Sequence, residues 1–382
     1  MPRDRRPRGP IRRAFGWLFR GLLALLLLAV LTSLLSNIGV PTRSKSVERL
    51  APVERNRMAE AQHLRRELGE AAWPGWGEPK IPILLYNEQY AFLLGYPAAP
   101  SGWETVPGEE FEGRPCYRKP HPNPQAFAVE VDGRWVASMA TREWTAIELA
   151  RLMRRDLPPV LEQVFPYRLM MRMFDSDWHI AAVSHESFHV YQMEVVPDRV
   201  EEAETHVGKF ERAYPWDDPR MREAWQAEAA ALAEAASAAS DEEAAREARR
   251  FLDLRAQRRK TTGLSAELVA FERRREWLEG LAKYVELAIW KAGGDESARY
   301  EPLPVMARDP AFHHYSGFRR RWQSELSQLR KQAAREGEGR FYYTGMAQAF
   351  VLDRLSPGWK QRAFSPQDIW LEDLLAEAVR KT

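Results

Sequence analysis

The chain has 382 residues, of which 45% are hydrophobic and 11% aromatic, enough to bury a sizeable core. Its 56 basic residues are interleaved with 54 acidic ones for a formal net charge of +2, a balance that argues against a nucleic-acid partner. The single cysteine, Cys116, excludes an internal disulfide, so packing or a metal must hold the fold together.

The N-terminal tail, residues 1–13, carries Arg3, Arg5, Arg6, Arg8, Arg12 and Arg13 against Asp4 alone. From Gly21 to Val40 no residue is charged, and the apolar run is about as long as a helix needs to cross a hydrocarbon core of roughly 30 Å. Phe15, Trp17 and Phe19 stand at its basic end, where interfacial aromatics belong. Residues 14–40 therefore read as a single-pass transmembrane anchor. The positive-inside rule keeps the arginines cytoplasmic and places everything after about residue 41 outside the cytoplasm, in a periplasmic or extracellular position. A cleaved signal peptide is the alternative; against it, the run exceeds a typical h-region and SNIGVPT offers no A-x-A cleavage site.

Residues 41–78 read as a helical stalk, with a solvated helix from Val47 to about Leu68 ended by Pro74, Gly75 and Gly77. Between about 80 and 141, KIPILLYNEQYAFLLGYP and QAFAVEVDGRWVASMAT alternate β-branched, aromatic and polar residues, and Asp132-Gly133 is a hairpin signal. A small sheet is expected there. From Trp144 onward helical patterns dominate, so the fold class is α+β with helix prevailing and one domain over 79–382. Residues 199–262, rich in Ala, Glu and Arg, read as an inserted antiparallel hairpin of surface helices, starting at Asp218-Pro219 and at a Ser240/Glu243 capping box.

The sharpest signal is H-E-x-x-H at His185, Glu186 and His189 within DSDWHIAAVSHESFHVYQ. Positions i and i+4 share a helix face, so both imidazoles can reach one Zn2+ ion, with Glu186 beside the open position where a water binds. Two histidines leave a catalytic zinc one protein ligand short. The best source of a third is REWLEGLAKYVELAIW, where Glu276 and Glu279 lie one turn apart and Gly280 and Ala282 would let this helix approach the zinc helix closely. His179 stands six residues before His185, off the zinc face, while His313 and His314 could lie near the site or simply pack elsewhere. Cys116 has no adjacent histidine and is not expected to act as a nucleophile. Tyr342 and Tyr343 in GRFYYTGMAQAF follow both zinc segments.

Trp277, Leu278, Glu279, Gly280, Leu281, Ala282, Tyr284 and Glu286 match the pattern W-L-N-E-G-F-A-x-Y-x-E. Together with the H-E-x-x-H this resembles the gluzincin zinc metallopeptidases of the aminopeptidase N and leukotriene hydrolase type. The resemblance implies a zincin-like domain that hydrolyses a peptide or protein substrate. Glu279 would be the third zinc ligand, with Glu276 as the fallback, and Glu186 the catalytic base. Tyr342, three residues before Gly345 as in the family's Y-x-x-G-A, would be the oxyanion donor, with Tyr343 its rival. The chain departs from the pattern twice: ninety positions separate His189 from Glu279, and WVASMAT lacks the glutamate of the G-x-M-E-N strand, so no aminopeptidase specificity is implied. An extended peptide could still pair with the edge of the sheet. Hydrolysis of a non-peptide amide or ester is the nearest alternative. Another is a membrane-tethered interaction protein with a structural zinc, although such a site has no use for Glu186. Asp175, Asp177 and Glu194 around the motif exclude an intramembrane protease.

Overall fold

The computed structural model describes residues 10–121, 126–365 and 369–382. Residues 1–9, with Arg3, Arg5, Arg6 and Arg8 of the basic tail, lie outside the described residues. In chain order the elements are α1 (Pro10–Asn37), α2 (Pro52–Ala72), β1 (Ile83–Tyr86), β2 (Tyr90–Leu94), β3 (Glu104–Phe111), β4 (Arg114–Pro120), β5 (Phe127–Val131) and β6 (Arg134–Ala140). Helices follow almost without interruption: α3 (Arg142–Asp156), α4 (Pro159–Val164), α5 (Tyr167–Arg172), α6 (Ser176–Val195), α7 (Pro197–Glu204), α8 (Val207–Ala213), α9 (Pro219–Ser237) and α10 (Asp241–Thr261). The remainder is α11 (Ala266–Gly293), α12 (Phe318–Gln332), α13 (Gly339–Leu355), α14 (Trp359–Ala363) and α15 (Leu371–Lys381).

Two compact units result. Of the described residues, the larger comprises those from 46 to 141 and from 175 to 382, the smaller those from 10 to 45 and from 142 to 174. Residues 142–174 thus group with the N-terminal helix and not with a domain running unbroken from 79 to 382.

In the larger unit, the sheet expected between about 80 and 141 has six strands in the order β3-β4-β2-β1-β6-β5. All neighbours are antiparallel except β1 and β6, which run parallel in the register Ile83↔Ala137 to Tyr86↔Ala140. Asp132 (φ 43°) and Gly133 (φ 74°) close the β5–β6 hairpin in the left-handed region, the conformation that makes Asp-Gly a turn dipeptide. One face of this sheet is covered by α6, which also packs on α2 and α11. Asp175 caps α6 by accepting from the Trp178 backbone N–H at 2.8 Å. Both α6 and α11 are hydrophobic or buried around most of their circumference, as central helices must be.

Two expectations need correcting. The helix read as a solvated stalk begins at Pro52 and belongs to the core: Met58 and Leu64 are fully buried, and its charged Glu60, Arg57 and Arg65 are buried with them. Arg57 is held by Asp309 at 2.8 Å and Arg65 by the carbonyls of Trp76 and Pro79, so paired charges passed for solvated ones. Nor are residues 199–262 a surface hairpin. The caps at Asp218 and Ser240 form, but α9 and α10 bury Trp225, Phe251 and the charged Glu228, Arg255 and Arg258. Arg255 reaches Glu276 at 2.6 Å and Glu372 at 3.0 Å, while Arg258 reaches Glu272 at 2.6 Å. Alternating Ala with Glu and Arg looked like a solvated face because it is one side of a buried ion network.

In the smaller unit, α1 from Trp17 to Asn37 is 21 residues long and apolar enough to cross a membrane.

Candidate metal centre

His185 and His189 sit one turn apart on α6, and Glu279 faces them from α11; all three are buried. Their ligand atoms converge. Nε2 of His185 lies 3.1 Å from Nε2 of His189, and Oε2 of Glu279 lies 3.6 Å from the first and 3.3 Å from the second. Tetrahedral bonds of about 2.0–2.1 Å put ligand atoms roughly 3.3–3.4 Å apart. The three separations bracket that value.

Hydrogen bonds further out decide which ring nitrogens face inward. Gln192 donates its amide to the Leu278 carbonyl at 3.3 Å, so its Oε1, 2.9 Å from His189 Nδ1, accepts the proton there. Nε2 of His189 then presents a lone pair to the cluster. On the other ring, Nδ1 of His185 faces the charge of Glu286, whose Oε2 is 3.5 Å away and whose Oε1 is held by Lys283 at 2.6 Å. Two lone pairs and a carboxylate oxygen converging in a buried space repel one another unless a cation lies between them. Two imidazoles and a carboxylate are also the donors of catalytic zinc sites. The residues therefore fit a metal ion, with His185, His189 and Glu279 as its holders.

The electrostatics agree. Burial alone would push His185 down, but Glu279, Glu286 and Glu186 outweigh it and raise the imidazole to about 10, a measure of how strongly these carboxylates draw positive charge to the cluster. Burial would raise Glu279, yet His189, His185 and Arg275 hold it well below the usual carboxylate range. Arg275, one turn earlier on α11, donates to Glu279 Oε1 at 2.8 Å, which turns the other oxygen toward the histidines.

Glu186 is half-buried beside the cluster, and its Oε2 is buried with no hydrogen-bond partner among the described residues. Burial raises this carboxyl, with His185 and His189 partly offsetting the rise. Tyr342, on α13, stacks on His185 with ring centroids 6.0 Å apart and planes 7° from parallel. Burial and the charge of Glu279 raise its phenol well above the ordinary value, so it remains an O–H donor. Tyr343 points elsewhere, with Lys283 5.9 Å over its ring.

The other candidates lie outside the cluster. Glu276 is bound by Arg255, by Thr344 at 2.6 Å and by Gln348 at 2.9 Å, so it is a network carboxylate and not a third ligand. His179 is buried with Nε2 2.8 Å from the Ala140 carbonyl. His313 gives its backbone N–H to Asp177 in the first turn of α6, two turns before His185, and the His314 ring lies 5.0 Å from that of Phe312, tilted by 47°. Cys116 is buried, and burial pushes its thiol up to about 11. Gly280 opens toward Gly345 of α13 instead of toward α6.

Gln192, Arg275 and Glu286 went unassigned in the sequence. Their spacing was the available signal: Gln192 is three residues from His189, Arg275 four from Glu279, and Glu286 seven from Glu279, all same-face separations on a helix. Compared with protein-family models, curated proteins and solved structures, the chain matches none.

Proposed function

We propose that the chain is a zinc-dependent peptidase of the gluzincin type with a zincin-like catalytic domain, anchored by α1 with its arginine-rich end cytoplasmic and its catalytic residues outside. The observation that carries this reading is the convergence of His185, His189 and Glu279 at separations of 3.1, 3.3 and 3.6 Å, with the unpartnered Oε2 of Glu186 beside them. When bound, zinc supplies Lewis acidity, polarising the scissile carbonyl and acidifying a water. Glu186 takes a proton from the attacking water and delivers it to the leaving amine, a task suited to a carboxyl raised by burial. The Tyr342 hydroxyl donates to the oxygen that gains charge in the transition state. Strand β5 ends the sheet, and its Phe127 ring lies 4.7 Å from that of His189, so an extended peptide pairing with this strand would run beside the metal ligands.

The test is metal content and peptide cleavage on the same preparations of the full chain. Zinc near one per chain in the parent and in Glu186→Gln, with turnover lower by about a hundredfold or more in the variant, is the expected result. A parent that takes up no metal, or a Glu186→Gln protein that cleaves as fast as the parent, refutes the proposal.

A further inference from the structure

Apart from α1 and Ile38 just after it, the large apolar side chains left exposed among the described residues are Leu152, Val160, Leu161, Leu169, Met173 and Val195. All but Val195 fall within residues 142–174, which form the smaller unit together with α1. Val160, Leu169 and Met173 are 76%, 62% and 73% exposed, values that water alone would penalise in so short a stretch.

What covers them is indicated by what holds them. Ser33, in the last turn of the apolar window of α1, donates to the Val164 carbonyl at 2.6 Å. Asn37, the last residue of that window, donates to the Phe165 carbonyl at 2.7 Å and accepts from the Tyr167 backbone N–H at 3.2 Å. Arg168 donates to the carbonyls of Ile38 and Gly39, both at 3.0 Å. The C-terminal carbonyls of α4 are thus satisfied by polar side chains of α1, as backbone at the edge of a bilayer requires where water is scarce. With a rise of about 1.5 Å per residue, the Ser33 bond holds Val164 at the end of α4 roughly 6 Å inside the end of the span, while Asn37 holds Phe165 at that end. Residues 142–174 carry six arginines against Glu143, Glu148, Asp156 and Glu162; Arg151 and Arg155 are paired with Glu148 and Asp156, and of the others Arg154, Arg168 and Arg172 are the cations for lipid phosphates around this apolar group.

We infer that α4 and α5 form an interfacial membrane element, which buries Val160, Leu161, Leu169 and Met173 in the leaflet where α1 ends. This rests on the reading of α1 as a span, and the test separates the two. Nitroxide labels are placed on single cysteines at Val160 and Leu169 in the full chain reconstituted in phosphatidylcholine nanodiscs. A label at Leu27 in mid-span and one at Glu148 on α3 serve as references. Cys116 can stay, because it is fully buried and its thiol is held protonated. Labels at 160 and 169 should collide more with dissolved oxygen than with a water-soluble nickel chelate, as at 27, and the preference should reverse at 148. Labels at 160 and 169 that behave like 148 overturn the inference. So do labels shielded from both reagents or broadened by a neighbouring spin, which would mean that protein covers the patch. A Leu27 label that itself sits in water shows that the span has failed, and the interfacial element with it.

Discussion

Gly280 and Gly345 face each other where α11 crosses α13, so closely that a Cβ built on Gly345 would lie 2.8 Å from the Gly280 Cα and nearer still to the Glu276 carbonyl oxygen. Backbone meets backbone at this point, and nothing can yield. The crossing brings Tyr342, one turn before Gly345, against the Glu279 side of the His185, His189 and Glu279 group.

Gly345→Ala should therefore destabilise the fold by about 1–3 kcal/mol, the usual range for overpacking a filled contact. It should also lower turnover, through displacement of Tyr342, by more than Tyr343→Phe does. Denaturant midpoints and cleavage rates of the two variants check both parts. An unchanged midpoint in Gly345→Ala would mean that the helices are not in contact there.

Glu286→Gln and Gln192→Leu touch no ion directly. The Glu286 carboxylate lies 3.5 Å from Nδ1 of His185 and Gln192 fixes the tautomer of His189, so each change should weaken metal binding by about 10- to 100-fold, as outer partners of ligating histidines do elsewhere. Competition with a chelator of known affinity measures this. The fold should persist in Glu286→Gln, since Lys283 and Arg321 can still bond to an amide oxygen at that position.

Metal binding should also release a proton. In the metal-free chain the imidazole of His185 is raised to about 10 and is charged at neutral pH, and an ion must displace that proton to reach Nε2. Apparent affinity should rise roughly tenfold per pH unit between about pH 7 and 9 and level off as pH approaches 10. Calorimetry in two buffers of different ionisation enthalpy should show about one proton released per ion near pH 8. No net release there would place the charge elsewhere in the cluster.

Much of this site was legible in the sequence because it is local: H-E-x-x-H is a same-face pattern within two turns of α6, and Glu279 lies in a segment whose glycine and aromatics are as distinctive as the carboxylate. The edge hairpin at Asp132-Gly133 was legible for the same reason, since a left-handed turn restricts residue choice. What failed was the sign of burial for charged residues. Glu276, Arg255 and Arg57 occupy sequence indistinguishable from a solvated helix, and only long-range partners from α13, α15 and Asp309 reveal that they are interior. Nothing in a helical period states where a partner from another segment will arrive.

That buried network makes the acid limb of stability predictable. Arg255, Arg258, Arg259 and Arg273 pair with Glu228, Glu272, Glu276 and Glu372 across α9, α10, α11 and α15. Burial would raise Glu272, but Arg258 and Arg259 draw it down to about 2, and Arg255 and Arg259 likewise depress Glu372. A carboxylate with a lowered folded-state pKa contributes stability that is fully present above its unfolded value, near 4.3, and is lost as pH falls through the folded value. The chain should therefore keep its stability down to about pH 4.5 and lose it steeply between about 4 and 2. Glu272→Gln should flatten that limb, because the titrating group is gone, while costing about 3–5 kcal/mol at pH 7 by leaving Arg258 and Arg259 underpaired. Denaturant unfolding of parent and variant at pH 7, 4 and 3 checks this; curves that run parallel across the three would show that Glu272 does not titrate with the fold.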